Sequence, residues 1–245
     1  MPCDGATGWL FHNDIVTRRL GDRVKHWITH NEPWCSSMMS YWEGVHAPGG
    51  KSLPDALQAC HHILLSHGLA IPVIRRNVAQ AQVGITLSLH PITAASDSAA
   101  DQAAVQRHDG LRNRWFLDPL HGRGYPEDTL ALLGAAAPHV APGDLEAIAT
   151  ATDFLGVNYY YPERVQDDPA GGPMRARLVE RDGAHRQPGP LGDRLRYRAR
   201  GYPFFCRGMV ARAGLAQFQR QDVELRHVAH MRGRPARLPV PKLGN

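Results

Sequence analysis

Apolar positions along the chain recur with two periods. Residues 24–29 form a short run holding Val24, Trp27 and Ile28 that leads into Asn31, Glu32 and Pro33. Proline has no N–H for a ladder, so the run predicts a strand ending at Glu32. A Gly- and Pro-rich loop over 41–51 follows, and then Ser52 stands as an N-cap before Leu53, Ala56, Leu57, Cys60, Ile63, Leu64 and Ile71 at helical spacing. This predicts a long amphipathic helix, which Pro72 should kink or end because it lacks the donor and crowds the preceding turn. Val83, Ile85, Leu87 and Leu89 alternate with small residues and predict a second strand over 82–89. Helices are expected over 101–117 and 126–133, and a third strand over 154–160.

Strand and helix in alternation imply an α/β chain with a parallel sheet. In such sheets chemistry collects at the carboxyl ends of the strands, where Asn31, Glu32, Asn158 and Tyr160 fall. Past Pro162 the periodicity decays. The Gly-, Pro- and charge-rich stretch 167–190 reads as a loop, and beyond Leu191 no apolar face is visible.

Charge sharpens that boundary. The 245 residues carry a formal +5, but residues 191–245 alone carry +9 and the first 190 carry −4. Three readings of the basic tail stand: an arm that contacts nucleic acid, a solvated linker, and a change of reading frame in GC-rich DNA. Arginines spread evenly and aromatics without pattern fit the first poorly, and Phe204-Phe205-Cys206 fits the second poorly. The frame change is preferred. The four cysteines, Cys3, Cys35, Cys60 and Cys206, show no paired spacing, so neither a zinc site nor a disulfide framework is expected. Free thiols and the lack of an h-region in residues 1–8 point to the cytoplasm, and no uncharged run reaches the ~18 residues of a membrane span.

The candidate chemistry sits at Trp27-Ile28-Thr29-His30-Asn31-Glu32-Pro33-Trp34-Cys35, which puts a carboxyl, an amide and indoles at one strand end. A partly desolvated glutamic acid can protonate the leaving oxygen of a glycoside, an amide can bind a ring hydroxyl, and an indole can stack on a sugar or aglycone. The bare dipeptide Asn31-Glu32 on its own favours the plainer reading, a structural ion pair. The whole segment, however, resembles the acid/base signature of glycoside hydrolase family 1, the β-glucosidase family. The resemblance continues in Arg19-Leu20-Gly21-Asp22-Arg23-Val24-Lys25-His26 and in Gly44-Val45-His46-Ala47-Pro48-Gly49. Further matches are Val83-Gly84-Ile85-Thr86-Leu87, Asn113-Arg114-Trp115-Phe116-Leu117-Asp118-Pro119-Leu120 and Asp153-Phe154-Leu155-Gly156-Val157-Asn158-Tyr159-Tyr160.

That resemblance implies a partial (β/α)8 TIM barrel over 8–165, holding roughly the fourth to sixth βα units. A loop over 166–190 and an unmatched tail over 191–245 complete the expected organisation. It implies retaining hydrolysis of a small β-glycoside or oligosaccharide, with no cofactor and no metal, so His26, His30, His61, His62, His67 and His90 are expected to be ordinary structural residues. By resemblance Glu32 is the general acid/base and Asn31 binds the sugar 2-hydroxyl. Trp34 lies on the aglycone side, and Asn158 and Tyr160 belong to a sixth-strand motif whose tyrosine orients the nucleophile. The family's nucleophile lies in a Thr-Glu-Asn-Gly type motif that this sequence lacks, and no Trp follows Trp115. The expectation is therefore a truncated, inactive glycosidase chain. The alternative is a non-catalytic module whose basic tail contacts nucleic acid.

Overall fold

The computed structural model describes residues 5–179 and 209–212. The chain divides into two units, 1–214 and 215–245, and the second lies outside the described residues. The chain opens with α1 (Gly5–Leu20), followed by β1 (His26–Asn31), the short α2 (Pro33–Ser37), α3 (Leu53–Asn77) and β2 (Gln82–Ser88). Next come β3 (Ile92–Ala94), α4 (Ala99–Asp109), α5 (Trp115–Leu120), α6 (Glu127–Leu133), α7 (Asp144–Ile148) and β4 (Phe154–Asn158). The last strands are β5 (Glu163–Asp167), β6 (Ala176–Leu178) and β7 (Met209–Arg212).

The three expected strands stand side by side in chain order, β1 parallel to β2 and β2 parallel to β4. Helices connect them, as consecutive βα units of a barrel require, and this open segment is a partial TIM barrel. Gly84 faces Phe154 and Ser88 faces Asn158 across β2 and β4. Between Ile28 and Asn31 the register slips: three steps along β1 match two along β2. One extra residue in a strand bends it and re-aims the side chains that follow. Those side chains are Asn31 and Glu32.

The core lies between this sheet and α3. Leu57, Leu64, Ile85, Leu87, Trp115, Phe116 and Ile148 form its main cluster, and Ile71, Ile74, Val78 and Val83 form a second one. Ser52 caps α3 as expected, its hydroxyl accepting from Asp55 N at 3.3 Å. Pro72 does not end this helix, which runs on to Asn77. Pro72 is exposed while Ile71 and Ile74 are buried, so apolar packing on the inner side offsets the one missing backbone bond on the outer side. By length and hydropathy α3 could cross a membrane, but eleven of its residues are buried within this fold, as in the core helix of a globular domain.

Several elements depart from the sequence expectation. The helix expected over 101–117 is broken into α4 and α5 by a π turn over Gly110–Arg114. α1 was not foreseen, because polar Asn13 and Thr17 share its packed face with Trp9 and Leu10. Asn13 and Thr17 are buried whereas Phe11 and Ile15 point to solvent. Asn77 on α3 meets that face, donating to Asp14 Oδ1 at 2.9 Å and to Thr17 Oγ1 at 3.0 Å. A second small sheet, β3 parallel to β5 and β5 antiparallel to β6, was not foreseen, and its β6 lies in the stretch read as loop. Its strands are too short to show a period. In the tail, where the sequence shows no apolar face, β7 pairs antiparallel with β4 from Phe154–Arg212 to Val157–Met209. An exposed strand edge offers unpaired N–H and C=O groups, and four residues suffice to pair them. The remaining tail features, including Arg194 to Arg200 and Phe204-Phe205, lie outside the described residues.

Candidate active site

Glu32 is placed by three local constraints. Its N–H donates to Thr86 O at 2.8 Å, extending the β1–β2 ladder by one residue, and Pro33 then stops the ladder and starts α2. Its backbone has φ 51° and ψ 70°, the left-handed region that residues with a side chain seldom enter. Such strain survives only where surrounding contacts enforce it, and it concentrates at functional sites.

Three donors converge on the Glu32 carboxyl. Asn158 Nδ2 donates to Oε1 at 2.8 Å and Tyr160 OH donates to the same oxygen at 3.0 Å. Cys35 Sγ donates to Oε2 at 3.1 Å. The Asn158 amide also reaches Asn31 Oδ1 at 3.0 Å, so Asn31, Glu32, Asn158 and Tyr160 form one connected group at the strand ends. Its members come from β1 and from the segment that begins with β4. Tyr160, expected to orient the nucleophile, bonds Glu32 in this structure. No residue of a seventh-strand carboxyl motif stands among the described residues to take that bond.

Trp34 beside the site packs against two neighbours. The Arg112 guanidinium lies 4.3 Å above its ring and Phe116 meets it at 6.2 Å, while the indole stays half-buried. Arg112 in turn belongs to a buried cluster that the sequence did not single out. Glu163 receives His108 Nε2 at 2.7 Å and Arg112 Nε at 3.3 Å, and His90 Nδ1 stands 3.4 Å away. Arg112 Nη1 also donates to Ser88 O at 3.1 Å, tying the cluster to the end of β2. Burial alone would raise the Glu163 carboxyl, but the bond from His108 and the charges of Arg112, His108 and His90 reverse this and hold it at about 2. Burial and the Arg112 charge lower His90 to about 4. Glu163 directly follows Pro162 and the Tyr159-Tyr160-Tyr161 run, and that proximity to a strand end was the one available signal.

The other histidines settle into the framework. His61 bridges Tyr125 OH at 2.9 Å and Asp144 Oδ2 at 3.0 Å, pinning α3 to α7. His67 Nδ1 meets Thr29 Oγ1 at 2.6 Å and His30 Nε2 meets Ser66 Oγ at 2.8 Å, and burial depresses both rings, to about 3 and about 4.

Parallel strands whose carboxyl ends gather a carboxyl, two amides and a phenol define a β/α-barrel protein with a strand-end acid site. The chain belongs to glycosyl hydrolase family 1, whose family model matches residues 9–188. A β-glucosidase of an Agrobacterium species is 41% identical over 157 residues, covering 64% of this chain and 34% of that relative. The β-glucosidase structure from Exiguobacterium antarcticum superposes with a TM-score of 0.70 at 36% identity, over 81% of this chain and 47% of the other. The virulence factor SghA of Agrobacterium tumefaciens, solved with its substrate analog salicin, gives 0.70 at 35% identity, over 74% of this chain and 40% of that one. The chain thus spans about a third of the length of curated relatives such as the first.

Proposed function

We propose that the described residues carry the acid/base half of a retaining β-glycosidase site acting on a small β-linked glycoside or oligosaccharide. In this reading Glu32 gives its proton to the glycosidic oxygen as the bond breaks and then takes one from the water that resolves the intermediate. Asn31 binds a hydroxyl of the sugar, Trp34 borders the aglycone, and Asn158 with Tyr160 holds the carboxyl in place. The observation that supports it most is the convergence of Asn158 and Tyr160 on Glu32 Oε1 from a strand more than 120 residues away. The salicin complex of SghA supports a β-glucoside as the probe substrate.

A retaining mechanism needs a second carboxyl about 5 to 5.5 Å from the first, attacking carbon while the first moves the proton. The sequence lacks the family's motif for it, so we propose that this chain alone completes no turnover. The organisation we propose keeps a barrel segment over 8–165 and a tail over 191–245 of different origin, joined by the stretch 166–190, which carries β6 rather than loop alone. A reducing, cytoplasmic setting fits the free thiols of Cys35 and Cys60.

A chimera tests the assignment. Residues 9–188 replace the matching segment of the Agrobacterium β-glucosidase, and hydrolysis of an aryl β-glucoside is followed. The expected result is an active chimera in which Glu32→Gln lowers kcat/KM by about 10²- to 10⁴-fold. A chimera whose rate is indifferent to Glu32→Gln overturns it.

A further inference from the structure

The two oxygens of Glu32 are not equivalent. Among the described residues Oε1 receives two strong donors, an amide at 2.8 Å and a phenol at 3.0 Å, whereas Oε2 receives only the Cys35 thiol at 3.1 Å. Cys35 lies three residues beyond Glu32, and its own N–H donates to Glu32 O at 2.9 Å, so backbone and side chain of one residue hold both ends of Glu32. A thiol is a weak donor and a weak acceptor. It can donate to the ionised oxygen, receive the proton of the protonated one, and release either at small cost when a stronger partner arrives.

We propose that Cys35 is a positioning residue for Glu32: its thiol steers the carboxyl so that Oε2 is the oxygen that carries the transferable proton. The inference rests on the acid/base reading of Glu32 and adds to it the oxygen used and the group that controls it. No covalent change at sulfur is involved; the proton leaves Oε2 for the glycosidic oxygen and returns to Oε2 from water. The thiol is suited to this passive part. Burial, the bond to Glu32 and the Glu32 and Glu43 charges push it up to about 12 against a smaller opposing pull from Arg112, so it remains a neutral S–H rather than a nucleophile.

The pairing is read without any turnover. In the full chain, alkylation of Cys35 by iodoacetamide is followed by peptide mass spectrometry across a pH series, with the buried Cys60 as internal reference. Because Glu32 stabilises the protonated thiol, Glu32→Gln should lower the midpoint of the Cys35 profile and raise its alkylation rate about tenfold per unit of fall, leaving Cys60 unchanged. An unchanged Cys35 midpoint, or an equal change at Cys60, overturns the pairing. In the chimera, Cys35→Ser should keep the pH profile of kcat/KM and Cys35→Ala should displace it; equal profiles for both variants refute the positioning part. Alkylation that responds to Glu32 in a chimera indifferent to Glu32→Gln would sink the acid/base reading and leave the contact standing, so the two failures are distinct.

Discussion

Removing Arg112 should unbalance the buried charge cluster behind the site. Glu163 and Arg112 are 7% and 8% exposed at their side chains, so solvent screens their attraction little. Holding the Glu163 carboxyl at about 2 instead of its ordinary 4.5 corresponds to about 3 kcal/mol of stability at neutral pH. The sign follows from the depressed value: this stability is fully present above about pH 4.5 and is lost as pH falls toward 2. Arg112→Gln leaves Glu163 buried with only the two histidines, and breaking a buried pair on one side costs about 3 to 5 kcal/mol. His90, no longer beside the Arg112 charge, takes up a proton more readily and returns part of that. The expected loss is about 2 to 4 kcal/mol, read by urea denaturation at neutral pH. The double variant with Glu163→Gln should be more stable than the sum of the two single losses predicts, by at least about 1 kcal/mol. A loss below about 0.5 kcal/mol, or strict additivity, would show that the cluster is not held by this pair.

Acid should destabilise the fold well above the range of its carboxyls. His30 and His90 at about 4 and His67 at about 3 are neutral in the fold, whereas the unfolded chain protonates them below about 6.5. Stability should therefore fall from pH 6.5 to 5 by about 1.5 kcal/mol per histidine, as followed by circular dichroism in urea; a flat profile contradicts their burial as neutral rings. At Gly68 an added Cβ would lie 1.9 Å from Ala147 O, a backbone atom of α7. Gly68→Ala should thus cost about 1 to 3 kcal/mol despite its better helix propensity, and a stabilised variant would mean that α7 is free to move aside. Pro72→Ala on the exposed side of α3 should act oppositely, restoring a donor to the helix and raising Tm; a fall in Tm would show that the ring packs against something.

Much of the site could be read from residues alone because its parts are local. Glu32 is caught between a strand and Pro33, and Asn158 closes another of the expected strands with a polar carboxyl end. Their meeting required the order β1-β2-β4, which the alternation of strand and helix implies. What stayed hidden depends on tertiary partners. α1 turns Thr17 inward, where its hydroxyl accepts from Asn77, and buries Asn13, whose amide donates to Trp9 O, while the apolar Phe11 and Ile15 face solvent. Glu163 and Arg112 are separated by some fifty residues and carry no motif, so only the fold reveals that they share a bond. Tyr160 was expected to orient a nucleophile whose motif the sequence lacks, and among the described residues its hydroxyl donates to the Glu32 carboxyl.

The central claim is that Glu32 sits in the acid/base half of a family 1 site whose nucleophile this chain does not supply. Hydrolysis of an aryl β-glucoside by the purified chain, beside its Glu32→Gln variant, tests this most directly. The account predicts no turnover above buffer in either protein. Turnover by the chain that disappears in Glu32→Gln would contradict it, by showing that a second catalytic carboxyl is present.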